Sequence, residues 1–209
     1  MKYTDPDGRI INGVSTRYFQ NADYSSTGVL NKFPGTYSDD PLGNGTTSLG
    51  GEGCLLTALT RIANAENKMN HMGEEYSPRQ ANTIGIAKDR FKSGSGELKA
   101  DGAAGLLGDL TGHTAKIVTI GTSSRLSGEQ AQAEIGLLAS SYAKGQEGDY
   151  FLIGRLSNGH FVNITGVDND GNPILANTAH NSEAGGPRTL DQENARGAYL
   201  VELRVVTFE

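Results

Sequence analysis

The spacing of apolar residues changes along the chain, and that change constrains the fold more than any other feature of the sequence. In the segments 54–68 and 127–142, apolar side chains recur at helical spacing. After residue 150, short apolar runs alternate with turns rich in Gly, Asn and Asp, which is typical of antiparallel strands. Helices followed by a strand meander predict an α+β fold rather than a doubly wound α/β sheet.

Residues typical of helix caps, helices and strands predict further secondary-structure elements. Ser77 followed by Pro78 predicts a helix start, because Ser caps a helix N-terminus and Pro fits its first turn. We expect this helix to reach about Phe91, and the leucines at 106–110 to lie on a short helix. The predicted strands are 114–120, 150–156, 160–167, 173–176 and 198–208.

Composition and charge argue against several kinds of partner. A chain of 209 residues is long enough for one domain with a substantial core. A net charge of −6 without a basic cluster argues against nucleic acid and anionic membrane surfaces. The sequence has no apolar stretch of about 20 residues, which a membrane span needs, and its first residues lack the apolar core of a signal peptide. We therefore expect neither a membrane span nor a signal peptide. We expect an N-terminal arm or linker at 1–16 and one domain at 17–209.

The only cysteine, Cys54, is the first candidate for chemistry. It follows a predicted glycine-rich loop, 50–53, and opens the apolar run of the first helix. The N-terminus of a helix stabilises a thiolate, which is the nucleophilic form of cysteine. A lone cysteine is more often a small buried side chain, but small residues before it let a substrate backbone approach. The sequence therefore predicts that Cys54 is a nucleophile.

A histidine and an asparagine far along the chain complete a candidate set. Of the four histidines, only His160 begins a well-formed apolar strand, which would hold a general base rigidly. Asn177 follows the next predicted strand, and its amide oxygen can orient an imidazole as a carboxylate can. Asp168 and Asn163 are alternatives for this third position. Gln20 is the candidate for stabilising a tetrahedral oxyanion together with the Cys54 N–H.

The order of these residues resembles a known family. Gln20 ends a Tyr-Phe-Gln segment, Cys54 follows Gly and opens a helix, His160 lies in Gly-His-Phe-Val, and Asn177 follows one more strand. Over residues 17–208 this resembles the papain-like cysteine peptidases, and most closely the C39-like peptidase group. That group often has Cys-Gly-Pro-Thr at the nucleophile and Asp-Pro at the third position. This chain instead has Cys-Leu-Leu-Thr and Asn-Thr.

The resemblance implies hydrolysis of a peptide or amide bond through a thioester, with no cofactor. It implies a papain-like α+β fold and a peptide or protein substrate. Three alternatives stay open: a peptidoglycan endopeptidase or amidase, an acyltransferase that uses an amine, and a non-catalytic binding module on a decayed peptidase fold. The segment 168–172 has the oxygen ligands of a calcium loop, but Pro173 stands where that loop needs Gly. We interpret it as a hairpin turn.

A second resemblance concerns the start of the chain. The segment 3–9, Tyr-Thr-Asp-Pro-Asp-Gly-Arg, resembles the Asp-Pro-x-Gly-Arg segment near the end of Rhs/YD-repeat proteins. In those proteins it precedes a variable C-terminal toxin domain. This resemblance implies a toxin domain that is secreted as part of a larger exported protein and is neutralised by an immunity or inhibitor protein.

Overall fold

A computed structural model describes residues 39–121, 136–140, 150–177 and 188–209. The chain divides into two compact units. Within the described residues, the helical unit comprises residues 39–115 together with Glu209, and the sheet unit comprises the described residues between 116 and 208. Helices precede a six-stranded sheet, which confirms the predicted α+β fold.

The helical unit is built around one long buried helix. Its helices are α1 (Leu49–Glu52), α2 (Cys54–Met69), α3 (Pro78–Ala87) and α4 (Gly102–Thr111). Every residue of α2 from Leu56 to Asn67 is buried, and α2 packs against both α3 and α4. The apolar side chains that form this core include Leu56, Leu59, Ile62, Ala81, Leu106, Leu107 and Leu110.

The end of α3 differs from its prediction. Ser77 caps the helix and forms a capping box with Gln80, as its sequence favours. However, α3 ends at Ala87 rather than near Phe91, because the chain turns into the left-handed region at Asp89, with φ of 56°. Phe91 then leaves the helix direction, pairs with Leu98 and buries its ring.

The sheet has six strands: β1 (Ala115–Gly121), β2 (Phe151–Leu156), β3 (Phe161–Val167), β4 (Pro173–Asn177), β5 (Arg188–Thr189) and β6 (Leu200–Phe208). Their order in the sheet is β1-β6-β2-β3-β4-β5. Strands β2 to β4 form the predicted antiparallel meander, and β6 pairs with β2. A short helix, α5 (Leu190–Asn194), follows β5 and was not predicted.

One face of the sheet carries a continuous apolar core. Alternate residues of neighbouring strands supply it, as the period of a strand requires. Residues 136–140 are helical and contribute Ala139, and the rest of the predicted helix 127–142 lies outside the described residues. The buried members of this core are Ala139, Leu152, Leu156, Val162, Ile164, Leu175, Leu190, Ala198, Leu200 and Leu203. None of the helices in the described ranges has the length and apolar composition of a membrane span.

Candidate active site

Cys54 is the first residue of α2. Cys54 is half-buried, whereas the residues of α2 from Leu56 to Asn67 are all buried. Gly53 is the N-cap and offers no side-chain hydrogen bond, and the first turn of α2 contains no acidic residue. The partial positive charge of the helix N-terminus is therefore not offset by a carboxylate within that turn, which favours a thiolate at this position.

The glycine-rich segment before Cys54 is a helical turn, not the predicted loop. Ser48 caps α1 by accepting a hydrogen bond from the Gly51 N–H at 3.1 Å. Gly53 ends α1 and begins α2, and its N–H donates to the Leu49 carbonyl at 2.8 Å. A Cβ on Gly53 would lie 2.3 Å from that carbonyl oxygen. Gly53 is therefore required for the close packing against α1, and this packing sets the position of Cys54 at the start of α2.

Asn82 on α3 holds the segment that leads into α1. Its Nδ2 donates to the Pro41 carbonyl at 2.9 Å, and its Oδ1 accepts from the Gly43 N–H at 2.8 Å. Arg79, one turn earlier, forms an ion pair with Asp40 at 2.6 Å. Sequence reasoning missed Asn82, because its hydrogen-bond partners lie 39 and 41 residues away along the chain.

Thr57 lies one turn after Cys54 on α2. It is fully buried, and its hydroxyl has no hydrogen-bond partner among the described residues. Thr60, also fully buried, instead donates to the Leu56 carbonyl at 2.7 Å. Residues three apart on a helix lie on the same side, so Thr57 is a helical neighbour of the thiol that the sequence analysis did not select.

His160 stands directly before β3 and its backbone is fixed by a hairpin. The Leu156 N–H donates to the His160 carbonyl at 2.8 Å, and the His160 N–H donates to Asn158 Oδ1 at 3.1 Å. Gly159 supplies the positive φ of 84° that this turn needs. His160 therefore directly precedes a strand, with both its backbone N–H and its carbonyl hydrogen-bonded.

Asn177 is the last residue of β4, and the strand register relates it to His160. Its Cα is paired with that of Val162, two residues after His160. Residues two apart in a strand share a face. Positions 160 and 177 are therefore diagonal neighbours on one face of the hairpin, at a separation that long side chains can bridge.

A bulge in β3 sets this register. From Val162 to Ile164 the pairing with β4 is regular, but Gly166 is paired with Ile174 and Thr165 is passed over. Thr165 is buried, and its hydroxyl donates to the Ile174 carbonyl at 3.4 Å. One extra residue in a strand shifts the pairing on one side of it relative to the other.

The two alternatives for the third position lie elsewhere. Asp168 follows the far end of β3 and accepts from the backbone N–H groups of Asn172 at 2.8 Å and Asp170 at 3.0 Å. The hydrogen bond from Asn172 is the main cause that lowers the pKa of Asp168, and burial opposes it. This confirms that the segment is a hairpin turn. Asn163 is fully buried and next to Val162, so alternation puts its position on the opposite face from 160 and 177.

Another histidine belongs to the helical unit. His113 follows α4, and its Nδ1 lies 2.9 Å from Glu66 Oε1 on α2. Asn70 Nδ2 also donates to Glu66 Oε1 at 2.8 Å. Glu66 lies 12 residues after Cys54, about 18 Å along the axis of α2. This polar cluster therefore joins α4 to the far end of α2 and is remote from the thiol.

Several sequence predictions fall outside the described residues. These include Gln20, the segment 3–9 and the boundary between 16 and 17, all of which lie in 1–38. Cys54 belongs to the helical unit and His160 to the sheet unit. In the parts of the chain that the structure describes, no group of three or more His, Cys, Asp or Glu residues is arranged to hold a metal ion.

Comparison with known proteins found similarity only among solved structures. No family model and no curated protein matches the chain. It is similar to the N-terminal peptidase C39-like domain of the toxin secretion ATP-binding protein from Vibrio parahaemolyticus, with a TM-score of 0.38 and 13% identity over 75% of this chain and 97% of that one. It is also similar to a double-glycine motif protease from an AMS/PCAT transporter, solved with the leader peptide. There the TM-score is 0.42, with 13% identity over 75% of this chain and 84% of that one.

Proposed function

We propose that this chain is a thiol hydrolase that cleaves a peptide or amide bond through a thioester on Cys54. The observation that carries the proposal is the position of Cys54: a half-buried cysteine that is the first residue of a largely buried helix, whose N-cap provides no side-chain hydrogen bond. Such a terminus lowers the free energy of the thiolate relative to the thiol.

The remaining roles follow from the chemistry of the reaction. The Cys54 sulfur bonds to the substrate carbonyl carbon, and the thiol proton passes to His160. His160 returns the proton to the leaving amine as the C–N bond breaks, and water then hydrolyses the thioester and restores the thiol. Asn177 orients the imidazole, which the register of β3 and β4 supports. Gln20 donates a hydrogen bond to the oxyanion.

Thiol alkylation tests the nucleophile without a substrate. We expect the rate of reaction with iodoacetamide, plotted against pH, to rise at a pH below the value of about 8.5 for an unperturbed thiol. His160→Ala moves that rise upward, because the imidazolium no longer stabilises the thiolate. His71→Asn is the matched control, since His71 is exposed and has a positive φ that Asn tolerates. A thiol that titrates like a free cysteine contradicts the proposal and favours the binding module.

Product analysis identifies the bond that is cleaved. Blocked peptides and a muropeptide digest are incubated with the protein, and products are resolved by mass. Products from the peptides support a peptidase, and products from muropeptides alone support the peptidoglycan alternative. An added amine that appears in the product indicates acyl transfer. Cys54→Ala is expected to abolish all products, and any that persist at an undiminished rate refute the thioester mechanism.

A further inference from the structure

Three strands of the sheet unit bring two arginines, a glutamate and a phenylalanine together. The Cα of Arg155 on β2 is paired with Phe161 on β3 and with Glu202 on β6. Arg204 lies two residues after Glu202 and therefore on the same face. We call these four residues, Phe161, Arg155, Glu202 and Arg204, the arginine surface.

Both guanidinium groups are held by the same carboxylate. Arg204 Nε donates to Glu202 Oε1 at 2.7 Å, and Arg155 Nε donates to Glu202 Oε2 at 3.0 Å. The guanidinium carbon of Arg204 also lies 4.7 Å from the centre of the Phe161 ring, a distance at which a cation is attracted to the ring face. The two cations are thus oriented before any ligand arrives.

The charges of the arginine surface do not balance. The pKa of Glu202 is lowered: burial acts to raise it, but the hydrogen bonds and charges of Arg204 and Arg155 outweigh that effect. Glu202 is therefore ionised at neutral pH, and two positive charges face one negative charge. Within the described residues, each guanidinium makes no hydrogen bond beyond the one from its Nε, so the Nη groups of both arginines retain donors.

The exposed fractions of the three charged side chains determine which of them a partner can reach. The side chain of Glu202 is 14% exposed and that of Arg204 21%, whereas that of Arg155 is 38% exposed. Arg155 is thus the accessible member, and its planar group matches the two oxygens of a carboxylate. A single excess positive charge in a chain of net charge −6 suits one carboxylate rather than a polyanion such as nucleic acid.

We propose that the arginine surface binds an acidic side chain, Asp or Glu, of a peptide segment. Phe161 directly follows His160, and consecutive strand residues face opposite sides of a sheet. The arginine surface is therefore on the other face of the hairpin from position 160. It serves as a docking site for a segment of the partner remote from any bond that is cleaved, and the proposal does not depend on the hydrolase activity.

Fluorescence polarisation with matched peptides tests the docking site on the full chain. The probes are labelled short peptides of Glu, Gly and Ser, and of Gln, Gly and Ser, both blocked at their ends so that only side chains differ. We expect the Glu peptide to bind about tenfold more tightly than the Gln peptide at low salt. Its affinity should fall as the salt concentration rises, because salt screens partly exposed charges. Equal affinity for the two peptides would overturn the proposal.

Variants assign the binding to these residues. Arg155→Gln is expected to reduce binding of the Glu peptide to the level of the Gln peptide, while Arg204 continues to pair with Glu202 and a thermal melt shows the fold intact. Lys92→Gln is the matched control, because Lys92 is an exposed, ion-paired cation of the helical unit. If Arg155→Gln binds like the wild type, or if Lys92→Gln loses as much affinity, the arginine surface is not the site. Repeating the measurement with Cys54→Ala should leave the affinities unchanged, since docking needs no thiol.

Discussion

The carbonyl oxygen of Leu49 lies where a side chain on Gly53 would have to go, 2.3 Å from an ideal Cβ. Because Gly53 ends α1 and begins α2, this contact links a one-turn helix to the position of the candidate nucleophile. The contact involves backbone on one side, so no rotation of a side chain can relieve it.

Gly53→Ala should therefore disturb both stability and the thiol. We expect a loss of about 1–3 kcal/mol, as for other substitutions that overpack a core, and slower alkylation of Cys54. Chemical denaturation and the iodoacetamide rate measure the two effects. Gly51→Ala is the control, because Gly51 is exposed and an added Cβ there meets only the Ser48 hydroxyl at 3.1 Å. Equal effects of the two substitutions would contradict this account.

Asn82→Ala should loosen the segment before α1. It leaves the Gly43 N–H and the Pro41 carbonyl without their partner, and a buried polar group without a hydrogen bond costs about 1–3 kcal/mol. Hydrogen exchange at Gly43 should accelerate accordingly. Thr83→Ala removes a hydroxyl from the exposed side of the same helix and should have a much smaller effect on both measurements.

Thr57→Val should not destabilise the helical unit. The hydroxyl is buried without a partner in the described part of the chain, so its removal relieves a desolvation penalty of about 1–3 kcal/mol. We expect an unchanged or higher midpoint of urea unfolding. Thr60→Val, which breaks the hydrogen bond to the Leu56 carbonyl, should lower the midpoint. The opposite order would show that the Thr57 hydroxyl has a partner in solution.

Asn177→Ala tests the orienting role at the third position. If Asn177 holds the imidazole of His160, the variant should lose turnover more than substrate affinity, and Asn177→Asp should restore part of it with an altered pH profile. Asp168→Asn should leave turnover unchanged. A loss of activity in Asp168→Asn that matches Asn177→Ala would assign the role differently.

Asp168 should make the stability of the hairpin depend on pH. Its pKa is lower in the folded state than the usual 3.8, chiefly because of the hydrogen bond from the Asn172 N–H. The stabilisation is therefore present above the unfolded-state pKa and is lost as the pH falls through the folded-state pKa. The difference in unfolding free energy between wild type and Asp168→Asn should shrink as the pH is lowered. A difference that is constant from neutral to strongly acidic pH would show that the carboxylate is not the cause.

Local sequence signals predicted the helix and the strand that carry the candidate residues Cys54 and His160. The apolar period and the preceding glycine placed the start of α2 at Cys54, and the Gly-His turn placed His160 at a strand start. The one-turn helix α1 was not predicted, because the glycines within it are typical of a loop. Nothing local identified Gly53 as tightly packed, since the atom that it approaches depends on α1.

Long-range pairing escaped prediction for a different reason. The position of β6 between β1 and β2 depends on contacts between residues far apart in sequence, and the apolar pattern of β6 is compatible with several neighbours. Asn82 was not predicted for the same reason, because its hydrogen-bond partners are far away in the sequence. The diagonal relation between 160 and 177 depends on the register of two strands, which turn residues alone did not determine.

The bulge at Thr165 shifts the pairing of β3 with β4 by one residue between the hairpin turn and the strand ends that carry His160 and Asn177. On the turn side of the bulge, Gly166 is paired with Ile174. If Thr165 were paired as well, with Leu175, the same register would set Asn177 opposite Asn163 instead of Val162. A strand shifted by one residue presents its other side. Pairing Thr165 within the ladder would therefore put position 177 on the opposite face from position 160, whereas deleting Thr165 would leave Asn177 opposite Val162. Positions 160 and 177 thus share a face only while Thr165 is bulged out of the ladder or absent from it.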